Sequence, residues 1–138
     1  TTEIYTLSLH DALPIYRKEI VIMVKNTFEN ATIYEAPGHH DVTLRRFHGK
    51  EETGAEKFWV GMSHFEPHGG AGWGYADNGC EKCYYILEGQ MTTKDRNGHE
   101  WKLNAGDTFS MGPYEERYFE NETDYPAKVL VIITYPGV

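Results

Sequence analysis

The stretch EKCYYILEG at 81–89 runs through MTTK at 91–94 and an Asn97-Gly98 pair into LNAGDTFSMGP at 103–113. It reads as strand, hairpin, strand, a Gly106-Asp107 corner and one more strand. The Asn97-Gly98 pair carries most of the constraint. A tight turn needs positive φ angles, which Asn and Gly tolerate, so the runs 91–94 and 99–103 are expected to fold back antiparallel. The rest of the chain continues the pattern. Segments 42–48 and 57–66 are rich in β-formers, and the polar segment 49–56 between them makes them expected antiparallel neighbours. After 118–119 and a turn at 121–125, the apolar run 127–135 suits a barrel wall. The expected fold class is all-β, a single small antiparallel barrel.

At 138 residues the chain has room for one domain. Its 40% apolar and 14% aromatic content can fill a core, and no apolar run approaches the roughly 20 residues that span a bilayer. The expectation is a soluble globular protein with no membrane contact. A formal net charge of -8 argues against nucleic acid, whose phosphates call for clustered Lys and Arg. Neutral or polyhydroxylated ligands, or other proteins, fit better. Cys80 and Cys83 form one C-x-x-C, which lacks the further ligands of a zinc site. No Ser-His-Asp order, phosphate loop or nucleotide fingerprint is present.

The beginning of the chain stands apart. Residues 1–15, TTEIYTLSLHDALPI, resemble a translated sequencing-adapter fragment of the kind found at the ends of metagenomic contigs. The run IVIMV at 20–24 is too short for a secretory core plus cleavage site. Residues 1–22 are therefore expected to be a non-native or poorly ordered leader, and 23–138, from Met23, the barrel.

From about Ile33 to Tyr135 the chain resembles the cupin superfamily, which implies a cupin jelly-roll barrel. Pro67 matches the turn proline of the first family motif, Glu81 its glutamate and Gly89 its strand-ending glycine, while Pro113 and Asn121 frame the second motif. Where the family has paired histidines this chain has Gly74 and Ala76, and Arg117 stands in place of the last histidine. Of the family's metal ligands only the glutamate remains. Two readings follow. Either the metal is lost, Glu81 and Arg117 form an ion pair inside the barrel, and the protein is a sugar-binding or regulatory module; or the metal has moved to other histidines.

Four of the seven histidines, His39, His40, His64 and His68, bracket the second barrel strand. Alternation puts Phe58, Val60, Met62 and His64 on the more apolar face, opposite Trp59, Gly61 and Ser63. On the strand before it, Val42 and Leu44 carry His40 and His48 inward and leave His39 outward. Antiparallel pairing brings His40 to His64 at one barrel end, and His68 follows in a glycine-rich turn that can reach back over the mouth. His40, His64 and His68 are thus the expected metal ligands, with His39 the alternative to His40. Three imidazoles around an open position suit copper, zinc, iron or nickel, with copper and zinc ahead of manganese. His10 and His99 are expected bystanders.

Glu81 begins a strand whose inward phase runs through Cys83, Tyr85 and Leu87, as a fourth ligand or a general acid raised in pKa by burial. Arg117 either binds a substrate carboxylate or neutralises Glu115 and Glu116. Trp73 and Tyr75, in a glycine-rich segment at the expected mouth, are candidate stacking platforms for sugars, Trp73 for binding and Tyr75, with Glu81, as an expected catalytic residue. Trp59 is expected outward, in a dimer interface.

The displaced histidines and the length from Met23 resemble the compact copper cupins that cleave cellulose oxidatively. That resemblance implies a homodimer, a copper ion on three histidines, oxygen or peroxide as co-substrate, a polysaccharide steered by Tyr75 or Trp73, and an extracellular setting. The alternatives are a metal-dependent isomerase, lyase or decarboxylase on a small sugar acid, with Arg117 on the carboxylate and Glu81 moving the proton, and a non-catalytic carbohydrate-binding module.

Overall fold

The computed structural model describes residues 23–76 and 79–137, so the expected leader and His10 lie outside the described residues. The described chain forms strands β1 (Thr32–Tyr34), β2 (His40–His48), β3 (Phe58–Tyr75), β4 (Lys82–Glu88), β5 (Gln90–Lys94), β6 (Glu100–Asn104), β7 (Thr108–Met111), β8 (Glu116–Glu120) and β9 (Ala127–Thr134). One short helix, α1 (Lys50–Thr53), sits in the polar segment after β2. The strands hydrogen-bond in the order β6-β5-β8-β3-β9-β4-β7, with β2 added to β3 and β1 to β2. This curled sheet is the expected all-β jelly roll, a nearly closed barrel.

Turn chemistry fixes the connections. The Asn97-Gly98 hairpin is wider than a two-residue turn: Lys94 pairs with Glu100, and Asp95 closes the loop by accepting the N–H groups of Asn97 and His99 on one carboxylate oxygen. At the Gly106-Asp107 corner Gly106 takes φ 94° and donates its N–H to the Ile86 carbonyl. Gly89, at φ 78°, leaves no room for a β-carbon against the Pro126 carbonyl.

The second barrel strand does not stop at Glu66. It continues as the 18-residue β3, whose first half pairs with β2 and β9 and whose last residues pair with β8. Gly69 and Gly70 allow the bend between the halves, because β-carbons there would run into the Asp41 carbonyl and the Glu120 carboxylate. Buried Asn121 ties the corner, with its N–H on Gly69 O at 2.8 Å and its amide on the carbonyls of Glu66 and Tyr125.

Core phase separates expectation from structure. Val42 and Leu44 face the interior as expected, but on β3 the inner residues are Trp59, Gly61, Ser63 and Phe65. Phe58, Val60, Met62 and His64 lie on the outer face. On β4 it is Lys82, Tyr84 and Ile86 that face in, and Glu81, Cys83, Tyr85 and Leu87 that face out. Both strands are apolar on both faces, so counting apolar residues cannot pick the inner one. The interior selects for shape: Gly61 is required by the close Arg45 carbonyl, and flat rings line the cavity walls. His48 also falls outside, past a register irregularity in β2, its ring tilted against Phe58 with centroids 5.0 Å apart.

Candidate active site

The barrel encloses a cavity of about 210 Å³. Its walls are largely apolar, from Trp59, Phe65, Phe119, Val131 and Ile133, with the hydroxyls of Tyr34, Tyr84 and Ser63 among them. Lys82, Arg117 and His39 also line it, and no Asp or Glu does among the described residues.

Arg117 lies mid-strand on β8 directly opposite Gly74 of β3. A β-carbon on Gly74 would overlap the guanidinium, so glycine there makes the space Arg117 occupies. The side chain is 6% exposed. Its Nη1 donates to the Gly72 carbonyl at 3.4 Å and its Nη2 to the Tyr84 hydroxyl at 3.3 Å, both long, while the buried Nε has no partner among the described residues. The guanidinium carbon lies 5.7 Å from the ring centroids of both Tyr84 and Phe119. Aromatic faces and neutral oxygens only partly offset the desolvation of a buried cation, which ordinarily takes a carboxylate partner.

His39 enters the cavity from the loop before β2. Its Nδ1 lies 3.0 Å from the Pro37 carbonyl, which can only accept, so Nδ1 carries the proton and Nε2 keeps its lone pair. Burial pushes its pKa below the ordinary histidine value; the Pro37 bond opposes this, and the nearby charges of Arg117 and Lys82 reinforce it. His39 is therefore a neutral base at neutral pH. Burial likewise lifts the Tyr34 phenol to about 12, against a smaller opposing pull from Arg46, so Tyr34 remains a hydrogen-bond donor.

The expected metal set does not assemble. His40 Nε2 donates to Glu120 at 2.9 Å, His68 Nε2 to Asp124 at 2.7 Å, and His64 faces outward 3.9 Å from Glu66. Among the described residues no group of three or more His, Cys, Asp or Glu side chains could hold a metal ion. The donors thus do not fit a three-histidine copper, zinc, iron, nickel or manganese centre. The reason is geometric: the inverted phase turns His64 away, and His68, at φ 61°, projects from the bend toward the 121–125 turn.

The other candidates divide. Glu81 is exposed and outside the barrel, its backbone paired with Thr134, so it neither meets Arg117 nor faces the cavity. Trp73 and Tyr75 belong to β3 rather than to a mouth loop, and both face out. Trp73 is covered by Arg96, whose guanidinium carbon lies 3.6 Å from the ring centroid, while Tyr75 is 52% exposed. Trp59 points inward and meets Tyr34 edge-on at 5.8 Å, so it cannot serve an outer interface. Neither cysteine is in a disulfide. Of the candidates, Arg117 and His39, the alternative to His40 that was expected to face outward, line the cavity. Lys82 was missed, one residue from Glu81 on the wrong strand phase.

A second space lies outside the cavity. The ends of the sheet path, β6 and β7, border a groove of about 370 Å³ whose walls include Trp101, Phe109, Lys94, Asp95, Glu115 and Glu116. Arg117 lines this groove as well.

Comparison with known proteins follows the architecture. A family model described as Cupin domain matches residues 61–133. A Mycobacterium tuberculosis protein named a beta-D-galactosidase is 35% identical over 103 residues, 75% of this chain and 86% of that protein. The polyketide cyclase RemF from Streptomyces resistomycificus superposes with a TM-score of 0.71 at 19% identity, over 82% of this chain and 80% of its own. A sugar phosphate isomerase of the cupin superfamily from Silicibacter pomeroyi gives 0.66 at 21% identity, over 81% and 76%. At these identities the two solved structures speak for the fold alone.

Proposed function

The chain belongs to the cupin family, and from that premise we propose that it is an enzyme that binds a small carboxylic acid of the sugar-acid type inside its barrel and moves a proton on the carbon beside the carboxylate. One observation carries the reading: two cations, Arg117 and Lys82, share a cavity with a neutral imidazole and with no acid among the described residues. A ligand carboxylate supplies the missing charge, accepting from Arg117, whose Nε is otherwise unsatisfied, and from Lys82.

In this mechanism the two cations hold the carboxylate and disperse the negative charge that grows on it when the neighbouring C–H breaks. His39 Nε2 takes that proton, and Pro37 holds the ring in the basic tautomer. The Tyr34 and Tyr84 hydroxyls are donors for the enolate oxygens. Returning the proton to the opposite face of the same carbon completes an epimerisation. The role first assigned to Glu81 thus passes to His39. The histidines expected to hold copper do not converge, each lying beside its own carboxylate.

The name of the Mycobacterium tuberculosis relative favours the galacto configuration and selects the probe. With D-galacturonic acid in deuterated buffer, NMR should show deuterium entering the C–H next to the carboxylate. His39→Gln should sharply slow the exchange while leaving binding intact, and Arg117→Gln should weaken binding. Binding without any exchange in wild type would reduce the protein to a carbohydrate-binding module; no binding at all would remove the acid reading. The same relative supports a second reading, glycoside hydrolysis, which needs paired carboxylates. Those lie in the groove as Asp95, Glu115 and Glu116, so cleavage of a chromogenic β-D-galactoside should be lost in Glu115→Gln.

The implied homodimer is proposed to form through the outer face of β3, β9 and β4, where Phe58, Tyr85, Leu87 and Ile132 remain exposed.

A further inference from the structure

His39 lines the cavity from the loop 35–39 between β1 and β2, and the bond that sets its tautomer does not set its place. The Pro37 carbonyl belongs to the same loop, as does the Ala36 carbonyl that accepts the His39 N–H at 3.3 Å. Both bonds shape the loop from within. A hold on the barrel lies one residue further on.

His40 is the first residue of β2 and pairs with Gly70 of β3, but the register slips between His40 and Val42, where Asp41 takes φ 49°. That pairing step is cut off from the ladder that holds the rest of β2. The side chain adds a second hold. His40 Nε2 donates to Glu120, 2.9 Å and 3.1 Å from its two oxygens, and Nδ1 lies 3.4 Å from Asp41. Glu120 is the more buried of the pair, its side chain 12% exposed against 48% for His40. It ends β8 between Gly70 of β3 and Thr92 of β5, and its Oε1 also accepts the Gly72 N–H at 2.8 Å. A β-carbon on Gly70 would overlap the carboxylate, so glycine there makes room for it. The carboxylate is thus fixed by the sheet before it meets His40. Gly72 also accepts from Arg117 through its carbonyl, which ties the cation of the site and the Glu120 carboxylate to one peptide unit.

We propose that Glu120, acting through His40, is the positioning residue for His39: it fastens the loop 35–39 to the barrel and so keeps the imidazole Nε2 aimed at the acid held by Arg117. Proton transfer is steep in distance, so a loop free to shift by about 1 Å loses rate without losing affinity. The inference rests on the reading of His39 as the base.

Two measurements on the full chain test it. The first needs no turnover: backbone order parameters from nitrogen-15 relaxation at residues 36, 38 and 39 should be about 0.85 in wild type and fall below about 0.6 in His40→Ala and in Glu120→Ala. His40→Gln should restore them, because its amide nitrogen reaches the place of the imidazole Nε2. A loop that stays rigid in His40→Ala overturns the proposal. The second is deuterium exchange into D-galacturonic acid, which His40→Ala should slow about tenfold at unchanged affinity and His40→Gln should return to the wild-type rate. In a His39→Gln background His40→Ala should slow it no further. A further tenfold loss in that background, or equal losses of rate and affinity, would mean that the pair merely supports the fold. Should wild type show no exchange, the proton-transfer reading fails by itself, and the order parameters alone decide whether Glu120 and His40 hold the loop.

Discussion

Inside the barrel the positive charges stand without an acid among the described residues; outside it many are paired. Arg117 and Lys82 face the cavity together, while on the surface Arg46 meets Glu51 and Glu52, Arg96 meets Glu116, Lys128 meets Glu88, and the histidines His40, His68 and His99 each have a carboxylate. Surface pairs of this kind contribute little each, typically ~0–1 kcal/mol. A buried cation without a counter-ion costs the fold several times that, and the acid ligand proposed for the cavity would offset it.

That contrast can be broken at several points. The largest effect should come from His39→Gln, which should slow proton exchange by about 10²–10⁴-fold at unchanged affinity. The wild-type pH profile sharpens the point. His39 titrates below 6.5, so the acid limb of kcat/KM should lie below that value, with activity rising with pH as the imidazole loses its proton. Lys82→Met should move the limb upward, because one of the charges depressing the imidazole is gone. A limb at or above 6.5 in wild type would show that another group is the base.

Next in size is Arg117→Met. It should weaken acid binding by about 2–4 kcal/mol and, in the absence of ligand, leave the protein equally or more stable by about 1–4 kcal/mol in denaturant unfolding. The surface counterpart Arg96→Met should do the reverse, costing under about 1 kcal/mol of stability with no effect on binding. If Arg117→Met instead destabilised the ligand-free chain strongly, the guanidinium would be a structural element.

At the outer sheet face, Ile132→Asp should halve the mass seen by light scattering if the proposed dimer uses that face. An unchanged mass would move the interface elsewhere. The smallest effect belongs to His40, whose pKa is raised first by its hydrogen bond to Glu120 and then by Asp41. A raised folded pKa stabilises the protein fully below 6.5, and the contribution fades as pH rises through the folded value. Thermal melts should show a slight fall over that window in wild type and none in His40→Gln.

The sequence by itself determined the local features. Gly89, Gly98 and Gly106 mark positive-φ positions whatever the strands around them do, Asn121 anchors a turn, and alternating β-formers between them give an all-β barrel. Arg117 was legible too, as a charge where the family resemblance expects a ligand. Only the tertiary structure decided which face of each strand is inside. On β3 and β4 both faces are apolar, so period-two alternation divides the residues into two sets without ranking them, and a shift by one exchanges Lys82 for Glu81 and Phe65 for His64. Pairing with the neighbouring strands and closure of the barrel make the choice, and with it two cations and an imidazole come to share one cavity.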